Sequence, residues 1–135
     1  MRRREFVAAF AAAVAWPLAG RAQETGRVYR VAYLGPSTPN AAPQAAFFAA
    51  LAELGFVEGQ NLEVDARGYA QHPGQYEKTA HELVAAKMDL IVCGGPEAGR
   101  AAREATTTIP ILVNTDDMVG EGLVKSIARP DGNVT

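Results

Sequence analysis

The chain has little of several things that would announce a function. It holds one cysteine, Cys93, so no intrachain disulfide can form. Its two histidines, His72 and His81, are nine residues apart, one in a Pro/Gly-rich loop and one in a helical pattern. That spacing is poor for a metal pair and reads as two solvent-facing side chains. No Gly-x-Gly-x-x-Gly follows the first strand pattern, no Walker A loop occurs, and no Gly-x-Ser-x-Gly elbow is present. No acidic pair sits at the first strand end, as a receiver domain would require. Low-complexity tracts and internal repeats are lacking too. No cofactor and no metal is therefore expected.

What is present begins at the N-terminus. Arg2, Arg3 and Arg4 precede an apolar run from Phe6 to Leu18, and Gly20 and Ala22 offer small residues before Gln23. Charge, apolar core and small-residue exit make a secretory signal at residues 1–22. The run is shorter than the roughly 20 apolar residues of a spanning helix. Arg3-Arg4-Glu5-Phe6 also has a twin-arginine form, so Sec and twin-arginine export both stand. Residue 23 is Gln and not Cys, so no lipid can be attached there. The expected location is the periplasm, with no stable membrane anchor. Removing Arg2, Arg3, Arg4, Arg21 and Glu5 from 13 basic and 15 acidic residues leaves 9 basic and 14 acidic, a net of −5. That balance argues against nucleic acid as a partner.

Residues 23–135 suffice for one modest core. Val28 to Leu34 reads as a strand ending at Gly35-Pro36. Pro43 opens a helix carrying Phe47, Leu51 and Leu54, and Gly55 stops it. Leu62 to Tyr69 is a second strand and Tyr76 to Lys87 a second helix. Leu90 to Cys93 is a strand buried on both faces. A helix over Glu97 to Ala105 follows Gly94-Gly95-Pro96. Ile109 to Val113 is a fourth strand, with Pro110 tolerable near its start. Val119, Leu123, Val124 and Ile127 predict a fourth helix ending at Arg129-Pro130, before a turn at Asp131-Gly132-Asn133. The order βαβαβαβα predicts an α/β fold: a three-layer parallel sheet with helices on both faces.

Ligands of such sheets sit beyond the carboxyl ends of the strands. Three loops hold the candidates: Ser37 and Thr38; Gly94, Gly95 and Glu97; Asn114, Thr115 and Asp117. Gly94-Gly95-Pro96-Glu97 is either an ordinary tight turn or a backbone approach to a ligand anion at a helix N-terminus. Asp116 and Asp117 are either helix caps or partners for a ligand ammonium. Cys93, in a buried strand, reads as a small hydrophobe.

Several segments together resemble a known family. They are the Arg2 to Phe6 and Ala15 to Gln23 pattern, Gly55-Phe56-Val57-Glu58-Gly59-Gln60-Asn61, Thr108-Ile109-Pro110-Ile111, Gly122-Leu123-Val124, and Arg129-Pro130-Asp131-Gly132-Asn133-Val134-Thr135. The chain resembles bacterial ABC-transporter substrate-binding proteins, in the group related to tryptophan/tyrosine-type binding proteins. The resemblance implies a type I periplasmic-binding-protein fold, in which two lobes close on a ligand. Residues 23–135 would be the first lobe, incomplete, with the second lobe absent. It implies a non-catalytic solute receptor that captures an amino acid or similar small polar ligand and delivers it to an ABC permease and its ATPase. Two departures stand out: Met118 replaces a Pro usual after the Asp at 117, and Gly68 to Pro73 is longer than usual. Two other functions remain to be weighed, an exported α/β enzyme fragment (a hydrolase or isomerase) and a sensor lobe.

Overall fold

A computed structural model of the chain describes residues 26–129 and 132–135. The expected signal at residues 1–22 lies outside the described residues, as do Pro130 and Asp131 of the expected final turn. Seven elements alternate: β1 (Tyr29–Leu34), α1 (Ala42–Glu53), β2 (Leu62–Asp65), α2 (Pro73–Ala85), β3 (Leu90–Cys93), α3 (Pro96–Ala105) and β4 (Ile111–Val113). The sheet is wholly parallel in the order β2-β1-β3-β4. Strand order therefore reverses between β1 and β3, and their carboxyl ends flank the crevice where such sheets bind ligands.

Alternation along the strands decides what each face meets. Ala32, Leu34, Ile91, Cys93, Ile111 and Val113 form the core with Tyr76, Ala80 and Leu83 of α2 and Ala98 and Ala102 of α3. Leu83 is fully buried; such a side chain contributes roughly 1.5–3 kcal/mol. Gly99 lets α3 close on β4, since a Cβ there would lie 2.8 Å from a Val113 methyl. The opposite face carries Tyr33, Val92 and Leu112, which share a cavity with Gln44 and Phe47 of α1. Helices thus stand on both faces, but unequally. Gln44 is the one buried residue of α1, and Leu54 just beyond it is 73% exposed.

Local chemistry sets the element ends. Gly55, at φ +93°, closes α1 with a Schellman pair: its N–H donates to the Ala52 carbonyl at 3.0 Å, and that of Phe56 to Leu51 at 2.9 Å. Asp89 pins the start of β1, accepting from the Arg30 N–H at 2.8 Å and from the Arg27 guanidinium at 3.2 Å.

Four boundaries differ from expectation by two residues or more. The second strand stops at Asp65 and not Tyr69, because the Asp65 carboxylate accepts from the Arg67 N–H at 3.1 Å and from its Nε at 2.9 Å, which turns the chain. Helix α2 starts a turn early, at Pro73, because the Gln75 side chain reaches back to the His72 N–H at 2.9 Å. It ends at Ala85, and Lys87 beyond it takes φ +57°. The fourth strand begins at Ile111, since Pro110 has no N–H to give the ladder.

The expected fourth helix is absent among the described residues: 118–122 form turns and 123–129 are irregular. Gly120 and Gly122 interrupt the apolar spacing, and Gly122 takes φ +70°. Leu123 and Val124 are buried while Val119 and Ile127 are exposed, so the four never share a helix face. Beyond one isolated helix-type bond, Glu121 N–H to the Asp117 carbonyl at 3.0 Å, the segment is held from outside: Arg103 of α3 donates to the Gly122 carbonyl at 2.6 Å, and Arg100 pairs with Glu121. After the interruption the chain returns to the sheet. Residues 133–135 lie parallel beside β4, with Ile111 N–H donating to Asn133 and Val113 N–H to Thr135, each at 2.8 Å.

Candidate functional site

At the carboxyl ends of β1, β3 and β4 lies a cavity of about 510 Å³. Its size suits a small organic ligand. Four predicted residues line it: Ser37 from the loop after β1, Gly94 and Gly95 after β3, and Asn114 after β4. Three separate loops thus converge on one space. Glu97 stands apart, exposed in the first turn of α3; with Gly94, Gly95 and Tyr76 it lines a neighbouring hollow of about 340 Å³. Thr38, Thr115 and Asp117 line neither. The Thr38 carbonyl accepts from Ala41 N–H at 3.1 Å at the entry to α1. The Asp117 carboxylate accepts from Gly120 N–H at 2.8 Å and closes a turn, with no helix after it among the described residues for Asp117 to cap.

The sequence reading missed part of the wall. Tyr33, Gln44, Phe47, Val92 and Leu112 also line the cavity. One signal was available: Gln44 is the only polar side chain of α1 before Glu53, and a buried amide there needs a reason. The two glycines of the turn do different work. Gly95 takes φ +123°, a conformation that disfavours side chains, and the space beside it is open. Gly94 is hemmed in: a Cβ there would come 2.7 Å from the Tyr33 ring. Its N–H donates to the Leu34 carbonyl at 2.9 Å, so β1 holds the turn.

The cavity's chemistry is neutral. Among the described residues lining it there is no His, Lys, Arg, Asp or Glu; hydroxyl, amide and backbone groups stand between aromatic and aliphatic surfaces. Burial pushes the Cys93 thiol up to about 12, so it stays protonated and is no nucleophile. Among the described residues no His, Asp or Glu lines the cavity with Ser37; His72 precedes α2 and His81 lies on its exposed side. Burial, with a smaller contribution from the Glu58 carboxylate, raises Tyr69, and burial also raises Tyr76, so both keep their protons at neutral pH. No group of three or more His, Cys, Asp or Glu suited to a metal occurs among the described residues. Such a wall can hold, orient and desolvate a ligand by hydrogen bonds and apolar contact.

Comparison with known proteins converges on one family. The family model described as ABC transporter substrate binding protein matches residues 40–135. A tyrosine-binding protein of Clostridioides difficile (strain R20291) is 34% identical over 90 residues, which are 66% of this chain and 26% of that protein. The crystal structure of a conserved domain protein from Vibrio cholerae matches with a TM-score of 0.71 at 30% identity, over 81% of this chain and 38% of the other. An ABC domain from Streptococcus pneumonia, solved with L-Trp, shares the fold with a TM-score of 0.67 at 24% identity, over 80% and 37%. The chain thus spans about a quarter of the curated relative and under two fifths of these structures.

Proposed function

This chain belongs to the ABC transporter substrate binding protein family, and from that premise we propose that it forms one wall of a cleft that captures an amino acid or a similar small polar ligand. The observation that carries this reading is the convergence of Ser37, Gly94, Gly95 and Asn114 on one cavity at the point where strand order reverses. Relatives named for tyrosine binding and solved with L-Trp support an amino acid as the class. Phe47 and Leu112 would meet an apolar side chain, while the hydroxyl and amide groups would meet its polar end. An ammonium or carboxylate held by neutral donors and acceptors needs water excluded, which a second wall would supply on closing.

The role is capture and delivery to an ABC permease and its ATPase, without chemistry. The absence of His, Asp, Glu and Lys from the described lining of the cavity and the protonated Cys93 thiol support a receptor over a hydrolase or isomerase. The setting is the periplasm, reached through the signal at residues 1–22. N-terminal sequencing of the exported protein should begin at Gln23; a product retaining Arg2 to Arg4 would contradict export by cleavage. Isothermal titration of residues 23–135 with L-tyrosine and L-tryptophan tests capture. One wall alone should bind weakly, with Kd above about 100 μM. A Kd near 1 μM would contradict the single-wall reading, and equal binding of the D-enantiomers would contradict a built site.

A further inference from the structure

We propose that Tyr33 is the positioning residue of this cleft, the side chain against which the loop after β1 and the turn after β3 are both set. The inference rests on the reading of the cleft as a ligand wall. Tyr33 is 3% exposed, yet it is not part of the core beneath α2 and α3. Its ring lies toward the strand ends, in a slot between two glycines. A Cβ on Gly35 would come 2.8 Å from the ring carbon that bears the hydroxyl, and one on Gly94 would come 2.7 Å from the same carbon. Those distances are far inside van der Waals contact, so the phenol occupies the room that the missing side chains leave. The Ser37 N–H points to the Tyr33 hydroxyl at 3.4 Å.

A third segment is tied to the same ring. Tyr69 stacks on Tyr33 with centroids 5.0 Å apart and planes at 24°. Its loop is bonded to the loop after β1 three times: Gly35 N–H to Gly68 at 3.0 Å, Ala70 N–H to Ser37 at 2.9 Å, and Gln71 N–H to Gly35 at 3.0 Å. Three connections from three strands therefore share one aromatic anchor. Two of them bring Ser37, Gly94 and Gly95 to the cavity. The ring sets the spacing of these groups, and spacing decides whether one ligand can engage them together.

The test replaces the ring. Tyr33→Leu empties the slot and removes the hydroxyl; Tyr33→Phe keeps the ring. In the ligand-free mature chain, amide exchange of Gly35, Ser37 and Gly94 should speed up by about tenfold or more in Tyr33→Leu, while Leu83 and Ile91 keep their protection. Tyr33→Phe should return Gly35 and Gly94 to within about threefold of the parent. Should Tyr33→Leu fail to fold, Gly94→Ala presses on the ring from the other side and should disturb the same three amides. Unchanged exchange at those amides in Tyr33→Leu, or in Gly94→Ala where only that variant folds, overturns the proposal. Affinity for L-tyrosine is measured on the same samples. If the parent shows none, the capture reading fails by itself, and the exchange data still decide the role of Tyr33.

Discussion

Gly68→Ala should be among the most damaging small substitutions in this chain. Gly68 lies where the loop after β2 crosses β1. A Cβ there would overlap the Tyr33 carbonyl oxygen and sit 2.9 Å from the Tyr33 carbonyl carbon and 3.1 Å from the Leu34 Cα. Every obstacle is backbone of a buried strand, so no side chain can swing aside. Overpacking a well-filled site typically costs about 1–3 kcal/mol, and the upper end applies where nothing yields. The shift also strains the 3.0 Å bond from Gly35 N–H to the Gly68 carbonyl, worth about 1 kcal/mol. A loss of about 4 kcal/mol follows, a large part of the 5–15 kcal/mol typical of a domain. At about 4 °C per kcal/mol, the midpoint should fall by roughly 16 °C. Gly74→Ala is the control. Gly74 lies in the first turn of α2 with nothing within 4 Å of a Cβ, so alanine should stabilise by a few tenths to about 1 kcal/mol. Urea unfolding followed by circular dichroism compares the three proteins. A Gly68→Ala protein within about 0.5 kcal/mol of the parent would refute the close crossing.

Other expectations follow from the same geometry. Leu83→Ala should cost about 2–5 kcal/mol in the same urea assay, since the side chain is fully buried between α2 and the sheet. Cys93 should resist a thiol reagent at pH 8 until denaturant is added. Its folded value is raised from 9.0 to about 12 by burial, so its contribution to stability is complete below pH 9 and is lost as pH rises toward 12. Cys93→Ala should flatten that alkaline loss. At Asp65 burial works to raise the carboxyl, but the Arg67 side chain and N–H and the Arg30 charge outweigh it, so the value is lowered from 3.8. Its stabilisation is present above the ordinary carboxylate range and lost on acidification, and Asp65→Asn should remove that part of the acid sensitivity. Arg103→Ala should release the segment after β4, raising amide exchange at Leu123 and Val124 while costing about 1 kcal/mol; unchanged exchange would show that the tether is idle.

The sheet was legible because each strand is a short apolar or β-branched run closed by Gly, Pro or a polar turn. Leu90 to Cys93 is the clearest case, and its limits agree with the structure. Errors arose where one residue's side chain overrode a pattern. Asp65 folds back on Arg67 and ends β2 despite the β-forming residues that follow. Gln75 extends α2 backward. Gly120 and Gly122 defeat an apolar spacing that fits a helix on paper. That Ser37, Gly94, Gly95 and Asn114 share one cavity was legible through position alone, since strand carboxyl ends gather in one place whatever the packing. Tyr33 and Gln44 were not. Their place depends on which face of β1 looks toward α1 and on how a phenol threads between glycines of two loops, and neither is written in local sequence.

The central claim is that ligand groups meet this chain at the carboxyl ends of β1, β3 and β4. Amide shift mapping of residues 23–135 during titration with L-tyrosine tests it most directly. The account predicts saturable shifts centred on Ser37, Gly94, Gly95 and Asn114 and reaching Gln44, Phe47 and Leu112 of the same wall, with β2 unmoved. Shifts centred on β2, or none at these loops while another region responds, would contradict it.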